Sequence, residues 1–463
     1  MINLTKYIQS LSGKKIAVLG LGVSNRAAVR ALIKAGADVV AWDDLAQNCE
    51  GLDATIRNLM DENFETDYEF LVAAPGIPLT LPAPHPIVEK ANKAGLEIIC
   101  DLELLHRASH GRKTIGITGT NGKSTTTALI GHILNECGIT AKVGGNIGKA
   151  ALDLVMPPKD GVFVLEMSSF QLDLCPTFAP DIGILLNLSP DHLDRHGTMD
   201  AYGAAKARIF RGEGVGIISV DDNHSEKIYE QLKDLGHRTI YPLSVNNEDK
   251  DGVFVKNGVL FEAMYGDPVE ISEMDIATLP GVHNHQNAAD AYAAARSIGL
   301  EPQAIMAAMK TFPGLQHRQF LSRTINGVAY VNDSKATNAN AAARALVSYR
   351  NVYWIAGGRP KDGGLKGIEP YMDHVRHVFL IGEAMDEFAS WLDKYGVPHE
   401  FSRTLERAVD SAHRIAQSER GQPGGTGTVV LSPACASFDQ FKSFEERGDE
   451  FNAIVAKLSE DDL

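Results

Sequence analysis

The sequence predicts an α/β protein of three domains, each built on a mainly parallel sheet, and three observations support this prediction. Its 463 residues correspond to three domains at about 150 residues each. Short apolar runs alternate with helical patterns throughout, which is typical of repeated strand–helix units. Several of these runs end directly in polar or glycine-rich loops, where open α/β sheets bind ligands. We expect domains at residues 1–111, 112–314 and 315–463.

Composition narrows the class of protein and its partners. With 44% apolar and 22% charged residues the chain is typical of globular proteins, and no apolar run approaches the roughly 18 residues of a membrane helix. The N-terminal stretch MINLTKYIQSLSGKK lacks the apolar core of a secretory signal. A net charge of −15 disfavours a nucleic-acid partner, which would require a basic face. We therefore expect a cytoplasmic protein without membrane or nucleic-acid partners.

The cysteines predict neither a zinc site nor a disulfide framework. There are five, an odd number, and they are scattered without any Cys-x-x-Cys pair. Reduced thiols in a cytosol fit this pattern best.

The first segment begins with a predicted buried strand at Lys15–Leu19, a turn, and a helix over Asn25–Lys34. A second strand over Asp38–Trp42 leads to Asp43 and Asp44. A third strand, Phe70–Ala73, ends in the loop APGIP.

The turn after the first strand resembles a dinucleotide-binding fingerprint. Gly20 and Gly22 fit the pattern G-x-G-x-x-G, and acids follow about twenty residues later. However, Asn25 occupies the third glycine position, and a simple dehydrogenase would not need the second phosphate loop described next. A diphosphate at this helix N-terminus, including that of a UDP-sugar, is compatible with the pattern.

The second segment begins with a predicted strand at Thr114–Ile117 that runs into TGTNGKST, residues Thr118–Thr125. An apolar helix pattern follows, so the order is strand, glycine-rich turn, Lys-Ser and helix, as a phosphate-binding loop requires. Lys123 can neutralise the outer phosphates, and the Ser124 hydroxyl can ligate magnesium. One departure is that Ile117 replaces the first glycine of the strict pattern. The alternative is a simple glycine-rich turn with a solvated lysine.

Candidate metal and acid–base residues follow the next strands of this segment. Glu166 comes directly after the apolar run Val162–Leu165, where a carboxylate can ligate magnesium. The run Gly183–Leu186 leads into NLSPDHLDRH, whose His192 is a possible ligand or base. Lys206 lies in the Ala-rich stretch AYGAAKARIF, and from composition alone it is a solvated helix lysine.

The third segment repeats one design four times, with a strand, a small or polar loop and a helix. The strands are predicted at Val328–Val331, Val352–Ala356, Val378–Ile381 and Thr428–Leu431. The loops that follow begin NDSKATN, GGRPK, Gly382 and SPACASFDQF.

Taken in order, these motifs resemble the Mur ligases over nearly the whole chain. The resemblance rests on TGTNGKST, the Glu166 strand end, HNHQNAADA at residues 283–291, QHR at 316–318 and NDSKATN at 332–338. GGNIG at residues 144–148 and SPACASFDQFKSFEERG at residues 432–448 are similar to the D-glutamate-adding members of that family. The resemblance implies a Rossmann-like N-terminal domain that binds the UDP-substrate, a central P-loop ATPase-like domain and a Rossmann-like C-terminal domain for the amino acid.

The implied activity is ATP-dependent addition of D-glutamate to UDP-N-acetylmuramoyl-L-alanine through an acyl phosphate, in the synthesis of peptidoglycan precursors. A monomer that uses ATP and two Mg²⁺ is expected. A carboxylate needs an activated acyl group before an amine can attack it, and cations must offset its repulsion from the γ-phosphate.

The resemblance also assigns residues to each ligand. Lys123, His192 and Lys206 are the implied catalytic residues. The implied ATP contacts are Gly119, Thr120, Asn121, Gly122, Lys123, Ser124, Thr125, Asn287, Arg318 and Asp333. The implied UDP-substrate contacts are Val23, Ser24, Asp43, Asp44, Gly76, Asn146 and His192. The implied D-glutamate pocket comprises Lys335, Thr337, Lys361, Ser437, Phe438 and Phe444. The implied metal ligands are Ser124, Glu166, His192 and Lys206, the last as a carbamate.

Two other functions stay open at this point. One is a related ligase that adds a different residue to a UDP-muramyl substrate, or glutamate to a folate. The other is a non-catalytic nucleotide-binding module, which the candidate metal ligands disfavour. For Lys335 and Lys361 the alternative is a surface lysine, and for Phe438 and Phe444 it is core packing.

Overall fold

The computed structural model describes residues 1–109, 111–248, 251–279, 281–361, 363–421 and 426–459. The chain forms two compact units, Met1–Phe312 and Pro313–Leu463. The first unit contains two sheets and the second contains one. The prediction of an α/β protein with mainly parallel sheets is therefore confirmed, whereas the three domain ranges 1–111, 112–314 and 315–463 stay predictions.

The first sheet has five parallel strands in the order β3-β2-β1-β4-β5. Its strands are β1 Lys15–Leu19, β2 Val39–Trp42, β3 Thr55–Ile56, β4 Tyr68–Ala73 and β5 Ile98–Ile99. The accompanying helices are α1 Thr5–Gln9, α2 Val23–Lys34, α3 Pro86–Lys93 and α4 Asp101–Ala108. β1 and β4 are almost completely buried, as expected of parallel strands covered on both faces.

The second sheet has nine strands in the order β14-β13-β12-β11-β10-β9-β6-β8-β7. The strands are β6 Lys113–Thr118, β7 Ala141–Gly145, β8 Val162–Glu166, β9 Ile182–Leu185, β10 Gly214–Ser219, β11 Arg238–Ser244, β12 Val253–Lys256, β13 Val259–Glu262 and β14 Val269–Glu273. The helices are α5 Lys123–Glu136, α6 Ser169–Asp173, α7 Leu193–His196, α8 Met199–Ala207, α9 Asn223–Leu232, α10 Val282–Ile298 and α11 Pro302–Lys310. Only β13 pairs antiparallel with its neighbours, so the carboxyl ends of β6, β8 and β9 share one edge.

One apolar core joins the two sheets of the first unit. It contains residues of α2 and the first sheet together with residues of β8, α6 and α8. Backbone and side-chain bonds reinforce it, since the N–H of Ile2 donates to the carbonyl of Leu152 at 2.9 Å and Arg30 pairs with Asp153 at 2.9 Å. Within the described residues, no helix is both long enough and apolar enough to cross a membrane.

The second unit contains a six-stranded sheet in the order β15-β16-β20-β17-β18-β19, in which only the β15–β16 pair is antiparallel. The strands are β15 Phe320–Ile325, β16 Val328–Asn332, β17 Val352–Gly357, β18 Val375–Ile381, β19 His399–Arg403 and β20 Thr428–Leu431. The helices are α12 Ala339–Ser348, α13 Met385–Lys394, α14 Leu405–Ser418 and α15 Phe444–Lys457. Separate apolar clusters cover the two faces of this sheet.

The repeated strand–loop–helix design is confirmed after β16, β18 and β20 and is wrong after β17. A 3₁₀ helix at Glu369–His374 takes the place of the expected α-helix there. Gly363, Gly364 and Gly367 all have left-handed φ values before it. Such a backbone cannot continue as a right-handed α-helix, which explains the difference.

Candidate functional site

The phosphate-binding loop joins β6 to α5 in the geometry that anion binding requires. Gly122 has φ 86° and lies at the N-cap of α5, so the first N–H groups of this helix have no partner within the helix. A Cβ on Gly122 would lie 2.1 Å from Oδ1 of Asn287. The absence of a side chain there lets α10 approach the loop closely.

A second loop, after β9, supports the phosphate loop from one side. The backbone N–H of Thr120 donates to the carbonyl of Asn187 at 2.9 Å, and the N–H of Asn121 donates to its side-chain Oδ1 at 2.9 Å. The N–H of Ser189 donates to Oγ1 of Thr120 at 3.1 Å. Because these bonds fix the backbone between Gly119 and Gly122, the loop is preorganised for a ligand.

Asn287 lies on α10 at the base of the phosphate loop and is buried. Its Oδ1 accepts a hydrogen bond from Oγ1 of Thr126 at 3.3 Å, and its Nδ2 donates to Asn284 at 3.0 Å. The structure therefore brings this predicted ATP residue to the predicted phosphate-binding loop.

Lys123 and Lys206 meet at the carbonyl of Gly119. Nζ of Lys123 donates to the carbonyls of Gly119 and Thr120, each at 2.9 Å. Nζ of Lys206 donates to the same Gly119 oxygen at 2.8 Å and to Oγ1 of Thr118 at 3.3 Å. Two amines therefore share one acceptor in the loop.

Lys206 is not the solvated helix lysine that composition indicates. Its side chain is among the most deeply buried in the chain, with 1% exposure, and it lies 4.7 Å from the ring centre of Tyr202. Burial lowers the pKa of Lys206 well below its ordinary value, and the charge of Lys123 lowers it further. The neutral amine is therefore more populated at Lys206 than at a surface lysine.

Glu166 ends β8, the strand that pairs with β6. Oε1 accepts a hydrogen bond from Nδ2 of Asn146 at 3.0 Å, whereas the buried Oε2 has no hydrogen-bond partner in the described structure. A buried carboxylate oxygen without a partner is costly unless it meets a cation. Its hard oxygen suits magnesium, so this residue fits the predicted metal ligand.

His192 lies at the start of α7 with a left-handed φ of 52°, and its side chain is exposed. Its ring packs 4.9 Å from Phe170, and Nε2 lies 3.4 Å from Asp191. Among the described residues, no group of three or more His, Cys, Asp or Glu side chains is arranged to hold a metal. The predicted metal set differs from such a group because it includes a serine and a modified lysine.

Four of the residues predicted to contact the uridine diphosphate lie shortly after β1 and β2. They are Val23, Ser24, Asp43 and Asp44. Asp43 stabilises the turns themselves, since its carboxylate accepts the N–H groups of Leu21 at 2.6 Å and Leu45 at 2.9 Å. Asp44 pairs with His85 at 3.0 Å, and this hydrogen bond lowers the pKa of Asp44. Val23, at the start of α2, is 77% exposed, which is unusual for a valine and leaves the helix N-terminus open.

In the same region, Asn25 has a packing role and Gly76 contributes a backbone contact. Asn25, which replaces the third glycine of the dinucleotide fingerprint, is buried and donates to the carbonyl of Leu19 at 2.9 Å. It therefore serves the packing of α2 on the sheet. Gly76 is exposed, and its carbonyl accepts a hydrogen bond from Arg195 at 2.9 Å.

In the second unit, Asp333 follows β16 and is buried. Oδ2 accepts from Oγ of Ser432 at 2.7 Å and Oδ1 accepts from the N–H of Gln319 at 3.1 Å. Desolvation raises the pKa of Asp333 to about 7, against the opposing hydrogen bond from Ser432 and the charge of Arg318. Arg318 is therefore close enough to Asp333 to influence its charge.

Of the six residues predicted for the D-glutamate pocket, five lie on three loops at one edge of the third sheet and Phe444 begins α15. Lys335 lies 5.8 Å from the ring centre of Phe444, and Ser437 is buried. Lys361 is exposed. Phe438 is 62% exposed, so the core-packing alternative is wrong for this residue, whereas Phe444 is half-buried at the start of α15.

Sequence reasoning missed three residues of these regions. In the sequence, Asn187 is only the first residue of the polar loop NLSPDH, Tyr202 is one aromatic in a helix, and Arg447 is one cation in a charged stretch. All three depend on contacts between residues far apart in the sequence, such as the 2.8 Å bond from Arg447 to the Ser334 carbonyl. The polar character of the NLSPDH loop was the available signal for Asn187.

Comparison with known proteins identifies relatives over the whole chain. Residues 117–295 match the family described as Mur ligase middle domain. A UDP-N-acetylmuramoylalanine–D-glutamate ligase of Paramagnetospirillum magneticum is 47% identical over 96% of this chain and 97% of its own length. The enzyme of the same name from Rhizobium johnstonii is 46% identical over 97% of this chain and 96% of its own length.

Solved structures share the fold at much lower identity. A UDP-N-acetylmuramate–alanine ligase of Thermotoga maritima superposes with a TM-score of 0.59 at 16% identity and covers 96% of this chain and 99% of its own. A pseudomurein peptide ligase type C of Methanothermus fervidus gives a TM-score of 0.53 at 17% identity, covering 96% of this chain and 100% of its own.

Proposed function

The chain belongs to the family of UDP-N-acetylmuramoylalanine–D-glutamate ligases, and on that premise we propose how its residues divide the work of this ATP-dependent reaction. The enzyme joins D-glutamate to UDP-N-acetylmuramoyl-L-alanine during peptidoglycan synthesis. The observation that carries this function is identity of 47% over almost the full length of a relative with that activity. The preorganised phosphate loop beside the buried Glu166 supports it.

We assign ATP binding to the phosphate loop, Gly119–Thr125, together with Asn287 of α10. The helix N-terminus and Lys123 neutralise the phosphates, and the carbonyl contacts of Lys123 hold it at the loop until the nucleotide arrives. By resemblance to the family, we also propose Arg318 and Asp333 as ATP-binding residues. Magnesium, when bound, would offset the negative charge of the phosphates and of the substrate carboxylate, and Ser124 and Glu166 are the residues that would hold one ion.

The activation step is transfer of the γ-phosphoryl group to the carboxylate of the L-alanyl substrate. A carboxylate oxygen attacks phosphorus, the bond to the ADP oxygen breaks, and an acyl phosphate results. The amine of D-glutamate then attacks the acyl carbon, inorganic phosphate leaves, and the amine loses a proton. Lys123 stabilises the charge that develops on the transferred group.

Lys206 has a separate role that we propose as a carbamate ligand for a second magnesium, together with His192. The neutral amine would attack carbon dioxide, form an N–C bond and release a proton. Burial with 1% exposure and the proximity of Lys123 both favour the neutral amine needed for that step. A metal would repel the ammonium form of Lys206. The carbamate is an anion and offers the hard oxygen ligands that magnesium prefers.

We assign the UDP-substrate to the open edge formed by Val23, Ser24, Asp43, Asp44 and Gly76, with Asn146 and His192 nearer the reacting end. We assign D-glutamate to Lys335, Thr337, Lys361, Ser437, Phe438 and Phe444. Cations and hydroxyls suit a dianionic amino acid. We further propose that the enzyme works as a monomer in the cytoplasm, with no nucleic-acid or membrane partner, and light scattering of the purified chain tests the monomer.

Phosphate release with a panel of acceptors and amino acids tests this assignment. We expect release only with ATP, UDP-N-acetylmuramoyl-L-alanine and D-glutamate together, and not with L-glutamate, D-alanine, L-lysine or a folate acceptor. Lys123→Ala should remove most turnover without unfolding the chain. Equal release with another acceptor or amino acid would refute the substrate assignment, and near-normal turnover of folded Lys123→Ala would refute the phosphate-loop assignment.

A further inference from the structure

Arg447 is a buried cation at the meeting point of the three loops that carry the proposed amino-acid pocket. It lies one turn into α15 and is 1% exposed. Its guanidinium bonds to the loops after β16 and β20 and packs against the loop after β17. The loop after β16 contains Lys335 and Thr337, the loop after β20 contains Ser437, and the loop after β17 contains Lys361.

Hydrogen bonds join Arg447 to two of the loops. Nε donates to Oγ of Ser334 at 2.9 Å, and Nη2 donates to the carbonyl of Ser334 at 2.8 Å and to that of Cys435 at 3.3 Å. Ser334 Oγ in turn donates to the carbonyl of Phe444 at 2.8 Å. One side chain thereby fixes the spacing between the Lys335 loop, the Ser437 loop and the start of α15.

The third loop is held by close packing against the same group. A Cβ on Gly358 would lie 3.2 Å from Nη1 of Arg447 and 2.4 Å from the carbonyl of Ala436. Gly358 has φ 133°, and paired hydrogen bonds join Arg359 to Ala436. The GGRPK turn can therefore approach Arg447 only with glycine at this position.

The charge of Arg447 is incompletely compensated inside the protein. Nη1 has no hydrogen-bond partner among the described residues, although Asp439 adds a favourable charge interaction. The carboxylate of Asp439 itself accepts the N–H of Glu383 at 3.1 Å. Burial lowers the pKa of Arg447 to about 10, so the guanidinium still carries its charge at neutral pH.

We propose that Arg447 is the positioning residue of the amino-acid pocket, which sets the spacing of the three loops and supplies the buried positive charge that favours a dianionic substrate. This inference rests on the D-glutamate assignment made above. A buried cation with incomplete compensation is costly, and an arriving dianion reduces that cost. The effect should therefore be seen in the KM for D-glutamate rather than in the KM for ATP or for the UDP-substrate.

The test compares Arg447→Met and Arg447→Lys with Arg238→Met as the matched control. Arg238 is also buried and also bonds to backbone carbonyls, at 2.5 Å to Pro180 and 2.6 Å to Val215, but it lies at the start of β11. We expect Arg447→Met to raise the KM for D-glutamate about tenfold or more, with the other two KM values changed less than about threefold. Arg447→Lys keeps the charge and should recover part of the loss, whereas Arg238→Met should lower stability without changing the KM for D-glutamate.

An unchanged KM for D-glutamate in folded Arg447→Met, or an equal rise in all three KM values, would overturn the inference. If Arg447→Met does not fold, Ser334→Ala replaces it, since this change removes one bond to the guanidinium and leaves the charge. Ser334→Ala should raise the KM for D-glutamate several-fold, and no rise would likewise overturn the inference. Wild-type enzyme that makes no product from D-glutamate would instead refute the proposed function.

Discussion

Replacing Lys206 with methionine should remove most turnover while leaving the chain folded. The change preserves the length of an unbranched side chain and removes its amine. Lys206 is 1% exposed, and its amine donates to Gly119 at 2.8 Å and to Thr118 at 3.3 Å. If the carbamate assignment is right, turnover should fall by about a hundredfold or more, because a metal ligand is lost.

The expected stability change is a balance between a charge and its hydrogen bonds. Replacing buried charges with apolar groups of similar volume is neutral or stabilising by about 1–4 kcal/mol. The two lost hydrogen bonds cost about 1 kcal/mol each, and the lost contact with Tyr202 costs about 0.5–1 kcal/mol. The net change should therefore lie between a loss of about 3 kcal/mol and a gain of about 1.5 kcal/mol.

The pH dependence gives a sharper test of the same reasoning. Because the pKa of Lys206 is lowered in the folded chain, the unfolded chain binds more protons at pH values between that lowered pKa and its own lysine pKa of about 10.4. Stability of the wild type should thus rise with pH towards about 10 through this group, and Lys206→Met should lack that rise. Unfolding in buffers free of carbon dioxide and magnesium, between neutral pH and about 10, measures the difference.

Lys227→Met is the control, since Lys227 is 55% exposed and forms only a surface ion pair with Asp200 at 2.9 Å. That variant should keep its activity and change stability by less than about 0.5 kcal/mol. Full activity in Lys206→Met would refute the catalytic role. A stability loss well above about 3 kcal/mol near neutral pH, with no dependence on pH, would refute the buried-charge reasoning.

Two further predictions concern backbone and protonation. Gly122 and Gly36 both have φ 86°, but a Cβ on Gly122 would meet Asn287 Oδ1 at 2.1 Å whereas one on Gly36 would meet nothing within 4 Å. Both alanine variants should lose about 1–2 kcal/mol from the left-handed backbone, but only Gly122→Ala should raise the KM for ATP, by about tenfold or more, and equal KM values would contradict the role of this close approach. Burial raises the pKa of Asp333 to about 7, so the folded chain binds the extra proton between about pH 4 and 7 and stability falls as pH rises through that window. Asp333→Asn should show a shallower fall in thermal unfolding measurements, and an unchanged slope would show that Asp333 is not protonated in the fold.

The strands could be predicted from sequence because parallel strands covered on both faces are nearly continuous apolar runs. β20 spans the predicted residues Thr428–Leu431, and β8 extends the predicted strand by one residue, Glu166. The residues directly after such runs were found by the same reasoning, since the carboxyl ends of parallel strands share one edge. The short 3₁₀ helix at Glu369–His374 was not predictable from apolar periodicity, because glycine φ values determine it.

Residues whose role depends on distant contacts could not be found from local pattern. Lys206 lies in an alanine-rich helix, and only the packing of α8 against the phosphate loop makes it buried. Arg447 lies among the charged residues FEERGDE, and its role depends on Ser334, which precedes it by 113 residues in the chain. A resemblance could indicate Lys206, but neither composition nor spacing indicates Arg447.

Among the described residues, each unit has a buried polar atom without a hydrogen-bond partner beside a proposed ligand site at the carboxyl edge of a sheet. In the first unit this atom is the carboxylate Oε2 of Glu166, and in the second it is the guanidinium Nη1 of Arg447. Other described residues also carry such atoms, among them Asp101 at the start of α4, Arg238 at the start of β11 and Asp290 within α10, but these three lie outside the sites proposed for magnesium and for the amino acid. Ligands that bind only the folded chain stabilise it by an amount that grows with the logarithm of one plus the ratio of free ligand concentration to Kd. The charges of the two side chains therefore predict ligands of opposite charge that stabilise the fold. A divalent cation should stabilise the chain by binding at Glu166, and a dianionic amino acid should stabilise it by binding near Arg447.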